Sequence, residues 1–221
     1  MTDTAGVVLF GDVVRSRDRA NAATDWLEAL RTRLDELYGQ QRLAPFEFTQ
    51  GDEIQGLIEP GADPFDAVLE ATLRPHDGPG AAPRMRWVVA AGAIDPGRGP
   101  ATRRTGQAFL VARAALERAA REKDGLSCVA GDRRADTLLS DLAPVLSAII
   151  DDMTDRQREV ARLAIVDGLR QSDIAARLGV APPTVSVSLA RGDVRSLSRL
   201  VNALRTVWRE GVGTVDQEAG A

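Results

Sequence analysis

The sequence contains a single cysteine, Cys128, a single histidine, His76, and a single lysine, Lys123. A Cys/His zinc site is therefore excluded within one chain, and so is an internal disulfide. His76 lies in RPHDGPGAAP, whose prolines and glycines indicate a loop, and this argues against a Ser-His-Asp triad. No GxxxxGK[ST] phosphate-binding loop is present. Any chemistry must therefore depend on carboxylates, arginines and backbone amides.

Long hydrophobic runs are also missing. No segment approaches the roughly 20 apolar residues of a membrane helix, and the N-terminus lacks the basic segment and apolar core of a secretory signal. With so little cysteine, these features predict a cytoplasmic protein that does not associate with membranes. The 221 residues are 44% apolar and 27% charged, as in an ordinary globular chain of one large or two small domains.

The net charge of −4 is unevenly distributed along the chain. Residues 155–210 contain ten arginines against six acidic residues, a net charge of +4, whereas residues 1–150 contain 18 basic and 22 acidic residues, a net charge of −4. This asymmetry indicates two parts with different partners.

The first part alternates strand and helix patterns. Strand-like runs are AGVVLFGD, the pair APFEFTQ and EIQGLIE around Gly51-Asp52, RMRWVVAAGAID and LSCVAG, and helical patterns cover residues 18–41, the stretch DPFDAVLEATLR and residues 107–122. The order β-α-β-β-α-β, followed by α-β, is the split βαβ pattern of a ferredoxin-like sheet. We therefore predict an α+β fold with helices covering one face of a largely antiparallel sheet.

After Asp132 the strand patterns stop and the sequence is helical almost to its end. The predicted organisation is an α+β domain at 1–132, a connecting helix at 133–152, a helix-turn-helix domain at 153–210 and a flexible tail at 211–221. Pro144 predicts a break or kink in the connecting helix.

Residues 153–210 carry the signals of a helix-turn-helix. Thr154 and Gln157 have the spacing of a capping box, Ser172 is the predicted cap of a second helix, and that helix stops at Gly179. The third helix opens at Pro182-Pro183 and suits the major groove of duplex DNA. The predicted DNA-binding residues lie on this helix or directly after its end, and they are Pro182, Thr184, Ser186, Ser188, Arg191 and Arg195. The alternative is a small helical bundle that serves dimerisation.

The stretch TDRQREVARLAIVDGLRQSDIAARLGVAPPTVSVSLAR resembles the helix-turn-helix of sigma factor region 4 and of LuxR-type regulators. This resemblance covers about 55 residues. It implies double-stranded DNA as a partner and a role in transcription regulation.

Two Gly-Asp pairs stand at the ends of strand patterns. Gly11-Asp12 ends the first strand pattern, and Gly51-Asp52 connects the two strand patterns of the hairpin. Because the first strand lies beside the hairpin in such a sheet, we expect both carboxylates at one edge, where Mg²⁺ would relieve their repulsion. The start of the first helix, with Arg15, Ser16 and Arg17, could hold a phosphate. The alternative is that the two acids only mark the ends of strands in an inert sheet.

The segments VVLFGDVVRSR, FTQGDEIQGLI, RWVVAAGAI and TGQAFLVARAALERA resemble successive blocks of SatD-family proteins. Their layout is also similar to class III nucleotidyl cyclases and GGDEF diguanylate cyclases. The resemblance implies metal binding by Asp12 and Asp52, with Glu53 as a further acid, and phosphate binding by Arg113. It places Phe48 and Phe109 where the cyclases have Lys and Asn, which argues against cyclase turnover.

These features together predict a DNA-binding transcriptional regulator. Its nucleotidyl-cyclase-like N-terminal domain senses a ligand, a nucleotide with Mg²⁺, and the resemblance to cyclases implies a homodimer. One alternative is an enzyme, a metal-dependent nucleotidyl cyclase or nucleotide hydrolase. Another is a scaffold that dimerises through both parts.

Overall fold

The computed structural model describes residues 4–14, 24–49, 53–75 and 83–219, with side chains described as far as residue 213. The strands in these ranges are β1 Thr4–Val13, β2 Arg42–Phe48, β3 Glu53–Ile58, β4 Met85–Ile94 and β5 Leu126–Val129. The α-helices are α1 Thr24–Tyr38, α2 Phe65–Leu73, α3 Gln107–Glu122, α4 Arg133–Asp151, α5 Asp155–Ile165, α6 Gln171–Leu178, α7 Pro182–Arg191 and α8 Val194–Ala219. Over the described ranges, no helix combines the length and apolar character needed to cross a membrane. The predicted α+β class is confirmed.

The five strands form one sheet in the order β2-β3-β1-β4-β5. β1 is antiparallel to both β3 and β4, β2 is antiparallel to β3, and β5 joins β4 in parallel. β1 occupies the centre because its continuous apolar run is suited to burial on both faces. The predicted order β-α-β-β-α-β, followed by α-β, is confirmed, as is the position of the first strand beside the hairpin.

Helices cover both faces of this sheet. Val7 and Leu9 of β1 face the main core, which includes residues of α1, α2, α4 and α8, whereas Val8 and Phe10 face a second core formed with α3. The prediction that helices cover one face is therefore wrong. The reason is the parallel pairing of β4 with β5, since such a pair needs a crossover connection and α3 makes it across the otherwise open face.

Helices α5, α6 and α7 enclose a small core of their own, formed by Val160, Leu163, Ile174, Ala175 and Val185. The predicted capping box at the start of α5 is confirmed. The Thr154 hydroxyl accepts a hydrogen bond from the Gln157 backbone N–H, and the Gln157 side chain accepts one from the Thr154 backbone N–H. These reciprocal bonds satisfy two backbone donors that the first turn leaves free.

The ends of α6 confirm one prediction and correct another. The helix begins at Gln171 behind Arg170, and no side chain caps it, so the prediction of Ser172 as a cap is wrong. The Ser172 hydroxyl instead donates to the neighbouring Asp173 carboxylate. Gly179 ends the helix as predicted, with a left-handed φ of 62° that a residue with a side chain adopts less easily.

Helices α4 and α8 flank the helix-turn-helix and contribute to the main core of the sheet domain. α4 runs without interruption through Pro144, so a break there is wrong; Ala143 and Leu146 are buried on either side and hold both halves against the core. α8 continues to Ala219 with Val212 buried, so it passes the predicted start of the tail at residue 211. The two predicted domains therefore share one hydrophobic core.

An ion network ties the sheet domain to the helix-turn-helix. The Glu70 carboxylate of α2 is 0% exposed and accepts hydrogen bonds from Arg74 at 2.7 Å and from Arg162 of α5 at 3.1 Å. Arg33 of α1 lies 3.8 Å from the same carboxylate and 3.2 Å from Asp167. A buried carboxylate needs such partners, because an unpaired buried charge is strongly destabilising.

Replacing Glu70 by glutamine should lower the free energy of unfolding by about 3–5 kcal/mol, because three arginines would keep their charges without the shared carboxylate. Urea denaturation followed by circular dichroism measures this change. Glu36→Gln is the matched control, since Glu36 also approaches Arg33 but is exposed, and it should change stability by less than about 0.5 kcal/mol. Equal effects of the two substitutions would contradict the importance of the network.

Candidate functional site

Helix α7 presents an exposed face from which side chains can contact another molecule. Val185 and Leu189 turn inward to the small core. Pro182, Thr184 and Ser186, all predicted to bind DNA, are exposed around the first turns. The prolines at the start fit a helix N-terminus, where backbone N–H groups have no partner within the helix.

Two details of this face differ from the sequence interpretation. Val187 was not among the predicted residues, yet it lies opposite the buried Val185 and is 49% exposed. The helical period measured from Val185 could have found it. Ser188 is half-buried, and its hydroxyl donates to the Thr184 carbonyl at 3.0 Å, so it is the least available of the predicted residues.

Arginines gather where α7 meets α8. α7 ends at Arg191, Gly192 follows, and Asp193 adopts a left-handed φ of 43° before α8 begins at Val194. Arg191 and Arg195 are both exposed at this junction. They therefore belong to different helices and cluster at the break between them.

Apart from the exposed face of α7, a cluster of charged side chains lies at one end of the sheet, on three neighbouring strands. Asp12 of β1 stands opposite Glu53 of β3 on one side and opposite Arg86 of β4 on the other. The Arg86 guanidinium donates to the Asp12 carboxylate at 3.2 Å. Asp12 and Glu53 thus meet across neighbouring strands, as the pairing of the first strand with the hairpin requires.

Glu53 is held by an arginine from α3. Arg113 donates two hydrogen bonds to the Glu53 carboxylate, at 2.5 and 2.7 Å, and Gln55 donates a third at 2.7 Å. Burial acts to raise the pKa of Glu53, but the bonds from Arg113 and Gln55 outweigh it and hold that pKa below its ordinary value. The Arg113 guanidinium also lies 4.8 Å from the centre of the Phe10 ring, a cation–π distance.

The predicted site residues can be placed only in part. Asp12, Glu53 and Arg113 come together at this end of the sheet, whereas Asp52, Arg15, Ser16 and Arg17 lie outside the described residues. Sequence reasoning missed Arg86, although the alternation of RMRW puts it on the same face as Val88 and opposite Asp12.

The donor atoms present suit a magnesium ion in type, because Asp12 and Glu53 offer carboxylate oxygens. Each carboxylate already has an arginine partner in this structure. Among the described residues, no three acidic, His or Cys side chains form a group of the kind that holds a metal. The Mg²⁺ site therefore stays a prediction.

Arg113→Gln should raise the pKa of Glu53, because burial would then be opposed mainly by Gln55. A carbon-detected NMR titration of the Glu53 carboxyl measures the shift. In the wild type the folded-state pKa is lowered, so the stabilisation by Glu53 is present above the unfolded-state pKa and is lost as the pH falls through the folded-state pKa. The loss of stability on acidification that is due to Glu53 should therefore be smaller in Arg113→Gln than in the wild type.

Arg118→Gln, an exposed substitution on the same helix, serves as the control and should leave the Glu53 titration unchanged. Identical Glu53 titrations in the wild type and in Arg113→Gln would show that the arginine does not set this pKa.

Comparison with known proteins bears on the helical part of the chain. Residues 145–192 match the family model described as Sigma-70, region 4, from the second half of α4 through α7 and Gly192. No curated protein matches the chain. The match confirms the C-terminal helix-turn-helix and supports a DNA-binding, transcription-related function. The residues before 145 and after 192 lie outside the match.

Proposed function

We propose that the protein is a DNA-binding transcription regulator whose N-terminal sheet domain binds a nucleotide together with Mg²⁺. The observation that carries the DNA-binding part is the sigma-70 region 4 match over helices α5 to α7, with the exposed polar start of α7 at its end. In this proposal α7 enters the major groove of duplex DNA.

The residues divide by role in this proposal. Thr184 and Ser186 lie near the start of α7 and reach base edges, and the exposed Val187 can contact a thymine methyl group. Arg191 and Arg195 neutralise phosphates at the α7–α8 junction. Base contacts specify the sequence, whereas phosphate contacts position the protein on any duplex.

Arg191→Ala should weaken binding to all duplexes alike, since one phosphate contact is lost. The slope of the logarithm of the binding constant against the logarithm of the salt concentration should become shallower by about one. Thr184→Ala should instead change the preferred sequence. Selection from a random duplex library, followed by fluorescence anisotropy at several salt concentrations, measures both effects.

Arg121→Ala, on the exposed side of α3, is the matched control for charge and should leave DNA affinity unchanged. Failure of the full chain to retain any duplex at low salt would remove the regulator proposal. A loss of affinity in Arg121→Ala equal to that in Arg191→Ala would place the DNA on another surface.

The topology supports the proposed relationship of the sheet domain to SatD-family and cyclase-like proteins. Strands β2-β3-β1-β4 with antiparallel pairing follow a ferredoxin-like order, to which α3 and β5 are added. Phe109 is buried and lies 6.1 Å from the Phe10 ring. A buried phenyl ring offers no hydrogen bond to a substrate, which favours ligand binding over cyclase turnover.

A cavity beside Arg86 favours an anionic ligand. It has a volume of about 710 Å³, within the range of small-molecule sites, and its lining has more cationic than acidic side chains. The cationic ones are Arg84, Arg86, Lys123 and Arg158, and the acidic ones are Asp124 and Asp151, of which Asp151 pairs with Arg84. Val14, the residue before the predicted phosphate-binding Arg15, also lines it. Arg158 belongs to α5, so a ligand here would touch both the sheet and the helix-turn-helix.

Isothermal titration of the full chain with nucleoside triphosphates and Mg²⁺ tests the ligand proposal. At least one should bind, Asp12→Asn should weaken binding about tenfold or more because it removes a carboxylate ligand, and no cyclic product should form. Asp141→Asn, an exposed acid on α4, should bind as the wild type does. No heat with any nucleotide would contradict the ligand proposal, and unchanged affinity in Asp12→Asn would exclude Asp12 as a metal ligand.

A further inference from the structure

Helix α4 carries two apolar stripes, of which one is buried in the main core and the other is only partly covered, since Leu142 and Ile149 pack against that core while Leu138 and Val145 are exposed. The buried stripe consists of Ala135, Leu139, Ala143, Leu146 and Ile150. The second consists of Leu138, Leu142, Val145 and Ile149, at spacings of four, three and four residues, which is the pattern of a helix–helix seam. Leu138 and Val145 are 45% and 47% exposed, among the few large exposed apolar residues of the described chain.

Charges of opposite sign flank this second stripe. Arg134 precedes it and Asp152 follows it, both exposed and on the same outer flank of the helix. Neither side chain has an ion-pair partner among the described residues. The stripe is centred midway between residues 143 and 144, so Arg134 lies about 14 Å before the centre and Asp152 about 13 Å after it.

We propose that this stripe binds a second copy of the chain, with the two α4 helices antiparallel about a two-fold axis. Leu138 then faces Ile149 of the partner subunit, and Leu142 faces Val145 of the partner subunit. Arg134 comes level with Asp152 of the partner subunit, which gives two symmetric ion pairs. A parallel pair would instead put each residue level with its own copy on the opposite flank, where neither gains a partner of opposite charge, so the charge pattern selects the antiparallel arrangement.

The dimer also bears on the proposed function, on which this step rests. α4 leads directly into the helix-turn-helix, and the two Asp151 residues would lie roughly 22 Å apart along the shared axis. Two α7 helices related by a two-fold axis suit a palindromic site with half-sites about 34 Å apart.

Sedimentation equilibrium of the full chain should show a concentration-dependent dimer. Leu138→Glu and Val145→Glu should each shift it to monomer, because a buried carboxylate would lack a partner. Leu110→Glu is the matched control, since Leu110 is 68% exposed on α3, away from the stripe, and it should leave the dimer intact. Circular dichroism confirms that each variant is folded.

Charge reversal tests the orientation of the two helices. Arg134→Glu or Asp152→Arg alone should weaken the dimer about tenfold, because each places like charges together at both ends. The double variant should recover the wild-type dissociation constant, because the pairs re-form with exchanged signs.

A wild-type protein that is monomeric at every concentration overturns the proposal. So does a dimer that Leu138→Glu affects no more than Leu110→Glu. If Leu138→Glu disrupts the dimer but the double reversal does not restore it, the antiparallel arrangement is wrong. An intact dimer that retains no DNA would contradict the proposed function and leave the interface standing.

Discussion

The buried carboxylate of Glu70 is the constraint on which the arrangement of the two halves depends. It is fully removed from solvent, and its partners are Arg33 of α1, Arg74 directly after α2, and Arg162 of α5. Because each arginine must stay in place to compensate the buried charge, the first helix of the helix-turn-helix is fixed against the sheet domain. Asp167 extends this network by accepting from Arg33 and lying 3.4 Å from Arg162.

A second anchor lies at the other end of α2 and involves α8. Trp208 packs edge-on against Phe65 with ring centres 6.3 Å apart, and Arg205 forms ion pairs with Asp63 and Asp66. Burial, together with the neighbouring Asp63, raises the pKa of Asp66 despite Arg205. One arginine is thus shared by two close acids. With anchors at both ends, α2 joins the sheet domain to α5 within the DNA-binding motif and to α8 after it.

The sequence predicted elements well where the signal is local. The bounds of α3 at Gln107 and Glu122, the capping box of α5 and the stop at Gly179 each depend on a few neighbouring residues. Two of the errors arise from tertiary packing, whereas the wrong cap at Ser172 is an error in a local signal. Pro144 does not break α4 because core packing on both sides outweighs a local cost, and α3 covers the far face because β5 pairs in parallel with β4.

The sequence by itself determined the order of strands and helices, the helix-turn-helix pattern and the meeting of Asp12 with the hairpin, because periodicity, capping and strand adjacency act over short distances. Only the tertiary structure decided which arginine neutralises which acid. Arg86 reaches Asp12 across 74 residues, Arg113 reaches Glu53 across 60, and Arg162 reaches Glu70 across 92. A chain with 28 basic and 32 acidic residues offers many such pairs, and burial and geometry select among them only after the elements have packed.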